Sequence, residues 1–193
     1  MKERNVRKRH TRNIVAAVMA GALMTAVSPA IAHAQSPQDS DPKPLPLSIL
    51  KASASAGIQN YKSKKVLQPS GSSTANGAKV VQQTWGASSA QYWTPVPDGD
   101  YYSFENSGSG KNLGIDGAST SAGAVAIQAN GSGDLNQDWY LSTGPYPPGT
   151  FSMKNRKSGL CLGISGASTA NGAQAAQFPC DGSANQGWTL VGA

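Results

Sequence analysis

The chain has 193 residues and a formal net charge of +6, but the basic excess sits at its start: residues 1–34 hold six of the sixteen Lys and Arg and one of the ten Asp and Glu. Beyond them the balance is ten against nine, or +1, which gives no argument for nucleic acid or an anionic membrane as partner. Both histidines, His10 and His33, lie in that first stretch, so the remainder has no His-based acid/base chemistry, no His-activated nucleophile and no His-ligated metal.

The basic head MKERNVRKRHTRN runs into the apolar Ile14–Ala32 and ends in Ala32-His33-Ala34. That order is expected of a secretory signal peptide, residues 1–34, cut before Gln35 and sending the protein outside the cell. Ile14–Ala32 is 19 residues, enough to cross a bilayer as an uncleaved anchor, but Pro29 and the Ala-x-Ala end favour cleavage. No second apolar run follows, so no membrane association is expected afterwards. Residues 35–56 begin with Pro37, Pro42, Pro44 and Pro46 and lack periodicity, which reads as a linker. The only cysteines, Cys161 and Cys180, are expected to form one bridge in an exported chain.

Residues 57–193 are rich in Gly, Ser, Ala, Asn and Gln, with short alternating or β-branched segments such as YYSFEN, AVAIQA and WTLV and no helical stripe. An all-β domain is predicted. Its strongest signal is internal repetition. Around Leu67, Leu113 and Leu162 the same residues recur at fixed offsets: Asn60/106/155, the large apolar Ile58/Phe104/Met153, Gly71/117/166, Gly77/123/172, Gln82/128/177 and Trp93/139/188. The period is 46 and then 49 residues, the slack falling at GPYPPG, Gly144 to Gly149.

Each copy (about 57–99, 100–147 and 148–193) reads as four short strands. In the second they are Tyr102 to Asn106, Leu113 and Ile115, Val125 to Gln128, and Trp139 to Leu141. A four-stranded unit this small cannot bury an apolar face alone, so three should close about a shared threefold axis. The three Leu, the three Trp and Ile58/Phe104/Met153 are then its core layers.

Three such copies, each with Leu, Gly-x-Ser-Thr-x-x-Gly and a terminal Gln-x-Trp, resemble the ricin B-chain type lectins. The resemblance covers about Ile58 to Val191 and implies a β-trefoil with pseudo-threefold symmetry that binds carbohydrate, galactose- or xylose-type in the family, with no cofactor or metal. It also places Cys161 and Cys180 where the family closes a bridge within one repeat.

A shallow sugar site uses an aromatic ring against the C–H face of a pyranose, a carboxylate accepting from hydroxyls and an amide that fixes them. In the family these are an Asp after the reference Leu, an aromatic six residues after the second Gly, and the Asn before Gln-x-Trp. The third copy has Phe178 and Asn185 but Gly163 for the Asp; the second has Asn136 but Ala129 and Gly114; the first has Gln68, Gln83 and Ala90. Asp181, in the loop beside Phe178, and Asp116, two residues beyond Gly114 and so on the same face of a strand, are the substitute carboxylates, and Gln186 is a further candidate for the sugar. Each has a plainer reading: the Asp as solvated turn residues, Phe178 as core, and Gln91, Gln137 and Gln186 as backbone partners. Trp85 is either packing in place of a disulfide or a displaced sugar platform.

Carbohydrate binding without catalysis is the expected function, the other reading being a trefoil with decayed sugar sites that binds a protein. Asp98 and Asp100 are the closest carboxylate pair, but VPDGD reads as a turn between copies rather than the two sides of a cleft. Asn130-Gly131-Ser132 matches a glycosylation acceptor, which in so Gly/Ser-rich a chain reads as coincidence.

Overall fold

The computed structural model describes residues 50, 55–144, 146 and 150–192. The leader and residues 35–49 lie outside the described residues. Twelve strands follow one another: β1 (Gly57–Asn60), β2 (Val66–Pro69), β3 (Val80–Gln83), β4 (Trp93–Asp98), β5 (Tyr101–Asn106), β6 (Asn112–Ile115), β7 (Ala126–Ala129), β8 (Trp139–Ser142), β9 (Ser152–Asn155), β10 (Cys161–Ile164), β11 (Ala175–Phe178) and β12 (Trp188–Val191). The second-copy strands match those read from the sequence to within a residue or so at each end.

Six strands make a barrel. Long antiparallel pairs join β4 to β5, β8 to β9 and β12 to β1 across the repeat boundaries. Within each repeat the circle is completed by Tyr102↔Trp139, Ala56↔Trp93 and Phe151↔Trp188. The hairpins β2–β3, β6–β7 and β10–β11 close one end, meeting through Lys79↔Ile127, Val81↔Gln174 and Val125↔Ala176. The result is a β-trefoil. Closure removes the open strand edges that a four-stranded unit alone would expose.

The expected core layers are where the repeat places them: Ile58, Phe104, Met153, the three Leu and the three Trp are all buried. Each indole N–H also has a buried acceptor, the carbonyl of its own reference Leu, at 3.0 Å in all three copies. Leu50, from the stretch read as linker, packs into the same core, and Ala56 exchanges backbone bonds with Trp93.

The polar members of the frame tie the repeats together. Gln128 donates to Ser73 O and Ala75 O of the first repeat and accepts from Ser109 Oγ. Gln177 does the same to Ser119 O and Ser121 O of the second, and Gln82 to Ser168 O and Ala170 O of the third. All three glutamines are fully buried, so each must have its partners. Asn60, Asn106 and Asn155 reach to the turn before the neighbouring repeat's Trp, donating to Asn185 O, Ala90 O and Asn136 O.

One residue stands alone at the meeting point of the hairpins. Gln174 directs its amide nitrogen at Val80 O, Ala126 O and Ala175 O, at 2.8, 3.1 and 2.7 Å. These carbonyls occupy the same offset in the three repeats, so the nitrogen lies on the pseudo-threefold axis. Lys79 and Val125 stand at the position equivalent to Gln174, and the axis has room for one side chain.

Candidate functional site

On β10 alternation turns Leu162 and Ile164 inward and Cys161 and Gly163 outward. Gly163 lies under the turn Ala184–Gln186 that precedes β12, and beside Phe178, the last residue of β11. Pro179 follows and ends the strand. The chain thereby brings Phe178, Asp181, Asn185 and Gln186 around one hollow of about 380 Å³, whose far wall is Ile164 and Ala167. Phe178 and Asn185 are half-buried and Asp181 is exposed.

Ser183 organises the polar side of this hollow. Its backbone N–H donates to Asp181 Oδ1 at 2.9 Å, and its hydroxyl to Asn185 Oδ1 at 2.7 Å. Hydrogen bonding from Ser183 holds the Asp181 carboxyl below its ordinary value, which favours the ionised, accepting form. Gln186 is buried, its amide donating to Pro179 O and accepting from Asp181 N–H. Its role in the hollow is to hold the loop that carries Asp181. The sequence reading did not single out Ser183; its place two residues before Asn185 was the available signal.

Gly163 is not simply a lost carboxylate. A β-carbon there would lie 3.1 Å from Gln186 Cγ, 3.3 Å from Phe178 Cδ2 and 3.4 Å from Asn185 Nδ2. A side chain there needs the ring and the two amide side chains to give by a few tenths of an ångström. Asn185 Nδ2 has no acceptor among the described residues and remains available to a ligand, whereas Asn136 Nδ2 donates to Ile115 O at 3.0 Å.

The second copy departs further. The hollow beside Asn136, about 230 Å³, is lined by Ala118, Asp134, Leu135, Asn136 and Lys157. Its carboxylate is thus Asp134, and Asp116, which opens the turn Asp116–Ala118 after β6, is not among the lining residues. The strand ends at Ile115, so the two-residue alternation expected to bring Asp116 onto the face of Gly114 does not continue. In the first copy Gln68 accepts from Gln91 Nε2 at 2.8 Å and Ala90 is buried.

Trp85 packs edge to face on Tyr92 at 5.2 Å between centroids and lies over Gly57 and Gly192, where any β-carbon would run into its ring. Cys161 and Cys180 are bonded, with Cα atoms 5.0 Å apart. Tyr146, from the loop between the second and third repeats, is buried against them, its hydroxyl 3.2 Å from Cys161 Sγ, and burial raises its pKa. Asp98 is held by Arg156 at 2.8 Å, so one member of the carboxylate pair is engaged in an ion pair.

The family profile of ricin-type β-trefoil lectin-like domains matches residues 50–129 and 135–193. The chain belongs to that family. Among solved structures, this ricin-type lectin domain is similar to the designed threefold-symmetric protein ThreeFoil, 35% identical, with a TM-score of 0.70 over 72% of this chain and 99% of that one. An exo-β-1,3-galactanase from Clostridium thermocellum is 31% identical, TM-score 0.68, over 72% of this chain but 30% of the enzyme. The Macrolepiota procera ricin B-like lectin, solved with lactose, shares the fold at 20% identity and TM-score 0.62, over 70% of this chain and 93% of that one. No curated protein matches the sequence. Membership of a lectin-like family makes carbohydrate binding the coarse functional assignment.

Proposed function

We propose that this is a secreted carbohydrate-binding module without catalytic activity, and that its working pocket is the third-repeat hollow. The observation that carries this is the convergence of Phe178, Asp181 and Asn185 on one opening, with Ser183 orienting both polar groups. The ring offers an apolar face to a pyranose, the carboxylate accepts from hydroxyls and Asn185 Nδ2 donates. A galactose-type ligand is favoured by the lactose-bound lectin and the galactanase among similar structures. The basic-apolar-small leader supports export.

The alternative is a protein-binding trefoil with decayed sugar sites. Gly114 and Gly163 at the position of the family's Asp, and Ala129 at that of the aromatic, are the features that favour it.

Amide shifts on titration with galactosides and with plant polysaccharide fragments test the reading, repeated on the Phe178→Ala/Asn185→Ala double variant. Shifts at Asn185 and Ser183 that vanish in the double variant are expected. Absence of shifts with every sugar would end the lectin reading, and binding that survives the double change would move the pocket elsewhere. Export is checked by the N-terminus of the mature protein, expected at Gln35.

A further inference from the structure

The pseudo-threefold symmetry supplies an internal control. A residue that recurs three times answers to the fold, and one that appears at a single junction is free to serve something else. At the junction of the second and third repeats, Tyr140 of β8 stands opposite Lys154 of β9. Tyr101 begins β5, and Arg156 follows β9. The corresponding four positions at the junction of the first and second repeats are Ser55, Thr94, Glu105 and Ser107, and at the junction of the third and first Thr150, Thr189, Gln59 and Tyr61. The equivalence is physical: Thr94↔Glu105 and Thr189↔Gln59 are in the register of Tyr140↔Lys154. Where Arg156 stacks on Tyr101, Ser55 and Ser107 share a 2.9 Å hydrogen bond.

At this junction the side chains build a hollow of about 370 Å³ on the barrel wall, lined by Tyr101, Tyr140, Lys154, Asn155, Arg156 and Gly159. The two rings meet edge to face, 6.1 Å between centroids. The Arg156 guanidinium lies 4.4 Å from the Tyr101 ring centre and is fixed by Asp98 at 2.8 Å and Asp138 at 3.1 Å. Its charge is thereby answered within the protein, and it serves to hold the Tyr101 ring in place. Asn155 is buried and committed to Asn136 O. Lys154 is exposed and has no acidic partner among the described residues.

We infer that this hollow is a second saccharide subsite, separate from the Gln-x-Trp pockets, which takes a sugar carrying a carboxylate: the pyranose lies against the tyrosine rings and Lys154 receives the acid. The inference rests on the carbohydrate-binding reading above. The two fixed half-buried rings, set edge to face, give apolar walls to a sugar ring, and the Lys154 ammonium, with no acidic partner among the described residues, favours an anion over a neutral hexose.

The test is an amide and aromatic shift titration of the protein with trigalacturonate and with its uncharged counterpart galactotriose, on the parent, Tyr140→Leu and Lys154→Gln. Trigalacturonate is expected to move the signals of Tyr101, Tyr140 and Lys154, and galactotriose to bind there about tenfold more weakly or less. Lys154→Gln should abolish the preference for the acid while leaving binding at Phe178 and Asn185 unchanged. Tyr140→Leu should remove binding at the junction altogether. Shifts confined to the Phe178 hollow with both sugars would overturn this inference and leave the proposed function standing. Shifts nowhere, with either sugar, would overturn both.

Discussion

Trp188 donates its indole N–H to the carbonyl of Leu162 at 3.0 Å, and the same bond joins Trp139 to Leu113 and Trp93 to Leu67. The two most conspicuous residues of the repeat are therefore one unit, in which the Trp both fills the core and satisfies a buried carbonyl. Trp188→Phe keeps an aromatic ring but orphans Leu162 O and leaves a void. A loss of about 2–4 kcal/mol is expected, measured by urea denaturation.

Gln177 makes three hydrogen bonds that cross a repeat boundary or close its own turn, to Ser119 O, Ser121 O and from Ser158 Oγ. Gln177→Leu preserves the volume and removes all three. A cost of about 3 kcal/mol is expected, with equal costs at Gln82 and Gln128 if the repeats contribute equally to closure.

The Cys161–Cys180 bridge spans 19 residues of the third repeat, while the first two repeats close the same hairpin without one. Replacing both cysteines by alanine should lower stability by about 3 kcal/mol, mostly through the unfolded chain. The fold should persist, which circular dichroism and a thermal melt would show.

Restoring the family's carboxylate by Gly163→Asp should not improve sugar binding, because the new β-carbon would press on Gln186, Phe178 and Asn185. Crowding of that kind costs about 1–3 kcal/mol. Calorimetric titration with a galactoside should show weaker binding than the parent. Tighter binding would mean that Phe178 and Asn185 yield more readily than their packing indicates.

Asp181 has a carboxyl held below its ordinary 3.8 by Ser183. A depressed folded value means that the ionised form contributes order above pH 3.8, and that this contribution disappears as the pH falls through the folded value. The Ser183 amide resonance should therefore titrate below pH 3.8 and sugar binding should weaken in the same range. Asp181→Asn should remove both dependences.

Much of the fold was legible because its essential residues recur. A Leu, a Trp, an Asn and two Gln at unchanged offsets in three copies are visible without knowing what they touch, and the strands follow from the turns between them. The candidate site was legible only in part. Phe178, Asp181 and Asn185 were identified and do meet at one hollow. Asp116 was placed by strand alternation, which the turn at Asp116–Ala118 interrupts. Asp134 and Lys157, which flank Asn136, were not identified, since Lys157 arrives from the next repeat.

The sequence by itself determined the triplicated frame, the all-β class and the cysteine pair, because periodicity reports which side chains closure of the barrel requires. Only the tertiary structure decided what the exceptions do. Arg156 is 58 residues from Asp98 and shares no motif with Tyr101, and Gln174 finds its three carbonyls only where three hairpins converge. The reason is the same in each case: a symmetric fold repeats most of what holds it together, and only the repeated part is visible as a pattern. What breaks the symmetry is joined only across strand pairings and hairpin contacts that the order of residues does not display.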